Sequence, residues 1–246
     1  MRRIRSQILA SILVNAIYEM KNYPVVLLNT VLAPLSFLIL IVFVSNGSLL
    51  GVGIIGGLIM TMFSSGTSLQ SDLSHLKNDF KLQDMVVSSP TSAAVYVVGM
   101  AISELVYSLP AIVILSALFS VYVHVQLAQA VGILVVLGMM FMMSVALGFA
   151  LATITSDIVQ SFAFTRLLTT LFSTLAPVYY PITLIPEPFR YAAYLSPTTY
   201  AAQLAQNLGG FQQAAGSSII VDWAVLIALT SLFLWIGARK SRWREK

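Results

Sequence analysis

NYPVVLLNTVLAPLSFLILIVFVSNGSLLGVGIIGGLIMTMFSSGTSLQS, from Asn22 to Ser71, contains no Asp, Glu, Lys or Arg in 50 residues. A second uncharged run, Leu105 to Ser156, extends over 52. One crossing of a bilayer takes about 20 apolar residues, so each run has length for two crossings and the turn between them. In the first run Ser45-Asn46-Gly47-Ser48 supplies the turn. Spans are therefore expected at 24–44 and 49–68. Gly53 and Gly57 in the second have the spacing that lets helices approach closely.

Working outward, further spans are expected at 93–121, 131–152, 161–178 and 219–238, with Thr153 to Gln160 as a short connection. The fold class is an all-α polytopic membrane protein, a single transmembrane domain over 1–246. Composition agrees: 58% of the residues are hydrophobic and 9% charged, where soluble domains carry about 25% charged. That balance excludes disorder. Cysteine is absent, which removes disulfides, thiolate nucleophiles and thiolate metal sites. His75 and His124 fall on opposite sides of the expected membrane and make no metal pair. Paired carboxylates and nucleophile–base sets are also missing, so an intramembrane enzyme is not expected.

The opening, MRRIRSQILASILVNAIYEMKN, has the basic start and short apolar run of a signal peptide. Gln7, Ser11, Asn15, Tyr18 and Asn22 nevertheless recur at steps of three and four, away from Ile8, Ile12, Leu13, Ala16, Ile17 and Met20. The pattern predicts an amphipathic helix over 1–22 lying in the membrane interface. Six spans put both termini on one side. Twelve of the 13 basic residues then share that side, and Arg190 alone lies opposite. This bias predicts cytoplasmic termini in the plasma membrane. The basic tail is thus a topology signal, and no nucleic-acid partner is expected. Trp223 and Trp235 sit where interfacial anchors belong.

Two segments stand outside the spans. In 72–90, DLSHLKNDFKLQDMVVSSP, the residues Leu76, Phe80, Leu82, Met85, Val86 and Val87 sit among mixed charges, ahead of Pro90. Such a stretch suits either a short helix with one face for a partner or a solvated loop. In 179–210 four prolines and five tyrosines occur between Tyr179 and Tyr200. Prolines disfavour one continuous helix, and tyrosines suit headgroup level. The segment reads as a re-entrant or surface helical hairpin, or else as an ordinary external loop.

In order, Tyr180-Pro181-Ile182, Pro186, Phe189, Leu195, Pro197 and Tyr200 resemble the stretch before the last span in membrane subunits of type-2 ATP-binding-cassette exporters. Asp84, Val86, Val87, Ser89, Pro90, Tyr96 and Gly99 resemble that family's cytoplasmic stretch between the second and third spans. Two departures occur: Lys77-Asn78-Asp79-Phe80-Lys81 replaces a Glu-Arg pair and glycine, and Met100 replaces a lysine. The resemblance implies a permease subunit driven by a separate cytoplasmic ATPase, which would bind ATP and Mg. It further implies a second copy of the chain or a related permease, and coupling to the ATPase through Leu76 to Val87, with Pro90 closing the motif. Consistently, the chain has no G-x-x-x-x-G-K-[ST] cradle for phosphates of its own.

Ionisable residues inside spans are default functional candidates. Glu104 is the foremost, with a structural or coupling role favoured over contact with a proton or cation. Asn29 is a candidate for a bond across helices. Asp157 and Asp222 are expected to face water, and Met139, Met140, Met142 and Met143 to serve packing or lipid contact. A path without rings of charge suits a lipophilic or amphipathic cargo, such as a drug, lipid or lipid-linked glycan. The competing classes are an ion-coupled secondary transporter, which predicts inverted repeats with interrupted helices, and a non-transporting membrane scaffold.

Overall fold

The computed structural model describes residues 2–78, 92–155, 157–174, 176–212 and 216–240, and every regular element among them is helical. Helix α1 (Arg2–Ile12), a π turn (Leu13–Ile17) and α2 (Tyr18–Asn22) run on from one another. Tyr23 stops them at φ −125° and ψ 66°, because a residue preceding proline is driven out of the helical region. Pro24 then opens α3 (Pro24–Ser45) at a position where its missing N–H is not needed. At the far end Asn46 and Gly47 take positive φ of 49° and 81°. Both residue types tolerate that conformation, and the Gly47 N–H donates to the Val42 carbonyl at 2.9 Å.

The chain returns through α4 (Leu50–Asn78). At 29 residues it is about 43 Å long, ten residues beyond the expected end at Ser68. The extension has a physical reason: Gln70, Ser71 and Ser74 are buried against neighbours and do not form a polar exit. The stretch 93–121, expected as one span, is bent: it consists of two helices, α5 (Ala93–Tyr107) and α6 (Leu109–Tyr122), which meet at 54°. Pro110, in the first turn of α6, lacks the N–H that would bond back into α5 and breaks the ladder there.

Helix α7 (Leu127–Ile154) starts earlier than expected because Gln126 and Gln129 form a reciprocal cap. Helix α8 (Ile158–Thr174) follows, ending ahead of Pro177. The chain then forms a 3-10 turn (Ile182–Leu184), α9 (Arg190–Ala193) and α10 (Pro197–Leu208) before α11 (Gly216–Lys240). Among the described residues four helices are long and apolar enough to cross a membrane, and α5–α6 makes a fifth if taken as one bent span. Helix α8 has only 17 residues, so helix length does not give the expected six.

Pairwise contacts fix the directions. Ser68 meets Glu104 and Gly57 meets Leu115, so α4 runs antiparallel to α5 and α6. Gln70 meets Thr165 and Phe63 meets Phe172, so α8 is antiparallel to α4 as well. Met62 meets Ser144 and Gly66 meets Gly148, which sets α7 parallel to α4, and Phe149 near the end of α7 meets Gly237 near the end of α11. Hereafter the proximal end is the one with α1 and Asn78, and the distal end the one with the α3–α4 turn. Helix α4 is the axle of the bundle: 83% of its span is buried, against 6% for α3 and 17% for α11.

The tightest contact in the bundle is between α4 and α7. A Cβ on Gly66 would fall 2.0 Å from Ser144 Oγ, and one on Gly148 2.8 Å from the Gly66 carbonyl oxygen. Ser144 Oγ donates to the Met62 carbonyl at 3.1 Å across the same seam. The glycines of α4 face different neighbours: Gly53 lies against Leu38 of α3, Gly56 against Val178, Gly57 against Leu115. Gly148→Ala is expected to lower stability by about 1–3 kcal/mol, since backbone must move. Gly138, whose Cβ would meet nothing within 4 Å, should accept alanine without loss. Thermal midpoints of the two variants, followed by gel filtration of the detergent-purified protein, check the contrast.

Candidate functional site

Polar side chains gather at two levels. At the proximal level, Ser11 Oγ lies 3.4 Å from Ser103 Oγ of α5, and Asn15 Nδ2 donates to Ser11 Oγ at 3.2 Å and Met100 Sδ at 3.1 Å. Gly99 permits this approach; a Cβ there would fall 3.1 Å from that of Ser11. The polar stripe of the N-terminal helix thus faces α5, while Leu9, Leu13, Val14 and Ile17 are exposed. Outward-facing apolar residues are what lipid contact asks of an interfacial helix, and protein takes up the polar groups on the other side. The π turn at Leu13–Ile17 slips the helical phase, so Ser11 and Asn15 point inward while Tyr18 and Asn22 point out.

Glu104, the neighbour of Ser103, is buried at 8% exposure and turns to α4. Ser68 Oγ donates to Glu104 Oε2 at 2.6 Å. Asp72, one turn along α4, lies within hydrogen-bonding reach of the same carboxyl. Small polar contacts therefore link the N-terminal helix to α5 and α5 to α4. Asn29 lies exposed on α3. Asp157 is exposed, whereas Asp222, also expected to face water, is buried at 3% exposure. Met140 and Met143 are buried in the core while Met142 is exposed, the spread that consecutive positions on a helix impose.

The stretch expected to couple to an ATPase falls largely outside the described residues. Phe80, Leu82, Met85, Val86, Val87 and Pro90 all lie there. Leu76 belongs to the last turns of α4, so the described helix leads directly into the stretch.

At the distal level, 176–212 packs into the bundle. The Tyr179 ring stacks on Phe37 of α3, centroids 5.2 Å apart and planes 13° from parallel. Burial pushes the Tyr179 and Tyr180 phenols upward, so both stay neutral near pH 7. Pro181 is half-buried and Pro186 exposed, and Pro197 opens α10. Tyr200 donates its hydroxyl to the Tyr194 carbonyl at 2.8 Å, and Thr198 Oγ1 donates to the Phe172 carbonyl of α8 at 3.3 Å. Gly51 and Gly209 both press against Phe211. Sequence reasoning missed Gln206, which is 1% exposed and donates to the carbonyls of Pro177, Val178 and Tyr180. The available signal was its place on the Thr199–Ala202–Gln206 face of a helix otherwise rich in alanine.

Among the described residues no cluster of His, Asp and Glu suits a metal ion. The arrangement offers polar links between helices. Ser68→Ala should cost about 1 kcal/mol by leaving the Glu104 carboxyl short of a donor. In a double-mutant cycle with Glu104→Leu the two losses should fall short of additive. Additive thermal shifts would mean that the pair is not coupled.

The family model for the ABC-2 type transporter matches residues 6–208, most of the chain. No curated protein matches it.

Proposed function

Because the chain belongs to the ABC-2 type transporter family, we propose that it is the permease subunit of an exporter carrying a lipophilic or amphipathic substrate outward. The family's members are transport components and not enzymes by themselves, and membership implies an ABC ATPase partner and a multi-pass place in the membrane. On this reading the partner binds ATP and Mg, two permease chains assemble with it, and the proximal end with both termini is cytoplasmic. Drugs, lipids and lipid-linked glycans are the substrate class.

The observation that carries the reading is the course of α4. It is the most enclosed of the candidate spans, and it extends without a break from the distal segment to Asn78, inside the stretch assigned to coupling. Nucleotide in the partner must favour one arrangement of the spans through differential contact. A helix that touches α3, α5, α6, α7, α8 and α10 is well placed to pass that bias on. The links from Ser11 to Ser103 and from Ser68 to Glu104 give the N-terminal helix a path to the same axle.

Copurification of an ATPase, with transport of reconstituted drugs or lipids that needs both chains, is the expected result. A purified complex without ATPase, whose transport follows a proton or sodium gradient, would count against the exporter. Phe80→Asp or Val86→Asp should leave the chain inserted and abolish stimulation of the ATPase by substrate. Unchanged ATPase binding and transport in both variants would remove the coupling role.

A further inference from the structure

The stretch 176–180 is irregular backbone, yet it lies against a span. A Cβ on Gly56 would stand 2.4 Å from the Val178 carbonyl oxygen and 3.0 Å from Tyr179 Cδ1. Gly56 is six residues beyond the start of α4, about 9 Å along it. Non-helical backbone survives at such depth only where protein satisfies its polar groups. The Val178 N–H donates to the Ala176 carbonyl, and three further carbonyls of the stretch meet one side chain. Gln206 Nε2 lies 3.3 Å from the Pro177 carbonyl oxygen, 3.4 Å from that of Val178 and 3.5 Å from that of Tyr180. A primary amide has two N–H donors, so the three acceptors share them. The amide has one workable orientation, since turning it over would aim Oε1 at three carbonyl oxygens.

We propose that Gln206 is a positioning residue. Its amide clamps 176–180 to α10, and Gly56 seats the clamped stretch on α4, so the distal segment and the distal half of α4 act as one body. The Phe37–Tyr179 stack and the Thr198 bond to the end of α8 hold the same unit from two further sides. Only the consequence for transport rests on the permease reading; the clamp is a property of the chain alone.

The chain contains no cysteine, so single introduced cysteines report without background. Val178 and Ile59 are both fully buried. In nanodiscs, with a polar maleimide as probe, Val178→Cys and Ile59→Cys should both react slowly. Adding Gln206→Leu should speed reaction at 178 by about tenfold or more through local opening, while 59 stays slow. Gln206→Met keeps the length of the side chain without its N–H donors and should open 178 in the same way. Unchanged reactivity at 178 in Gln206→Leu, protection retained in Gln206→Met, or an equal rise at 59 overturns the clamp. With the ATPase present, ATP and vanadate should leave 178 protected, and nucleotide-driven exposure there would overturn the single body. Failure to purify any ATPase would bear on the permease reading and leave the nucleotide-free results standing.

Discussion

The close seam between α4 and α7 is the contact on which the rest of the bundle depends. In lipid there is little hydrophobic drive for one apolar helix to prefer another, so association rests on packing and hydrogen bonds. Gly66, Ser144 and Gly148 bring two backbones within reach of one side-chain bond, Ser144 to the Met62 carbonyl. Once α4 is held there, each of its other faces has a fixed neighbour: Gly53 faces α3, Gly57 faces α6 and Phe63 faces α8. A larger residue at any of these points separates a different pair of helices. The seam therefore determines an arrangement and not only an amount of stability.

Polar contacts in this chain follow the same logic. Ser11, Asn15, Ser103, Ser68 and Glu104 turn toward neighbouring helices, and Leu9, Leu13, Val14 and Ile17 turn away. In water that arrangement would be inside out. In a bilayer it is the favourable one, because hydrocarbon offers a hydroxyl or amide no partner. Gln206 carries the rule furthest by serving backbone that has no helix of its own.

How much of this was legible depends on which signals are local. The absence of charge marked the membrane, and Pro24 and Asn46-Gly47 punctuate α3 where they were read to do so, since each acts through its own backbone. Pro110 was equally local, but it lay inside a long apolar run and was passed over, which hid the bend between α5 and α6. The full length of α4 was lost for another reason. The expected span stops at Ser68, and only the neighbouring helices show Gln70, Ser71 and Ser74 beyond it to be buried. Periodicity correctly grouped Ser11 with Asn15, yet it cannot say what a stripe faces, nor foresee the π turn that divides it. For Gln206 composition offered almost nothing: a buried glutamine and an exposed one look alike until the carbonyls it serves are in place.

The exposure of α3 has a mechanical consequence. Its 22 residues span about 33 Å, close to the hydrocarbon thickness of about 30 Å, and few of them are enclosed by protein. Such a helix answers a thinner or thicker bilayer mainly by changing its tilt. Phe37 rides on that helix with its ring on Tyr179, so a change of lipid chain length is passed as a sideways push to the distal segment. The bilayer is in this sense a spring acting on one end of the bundle.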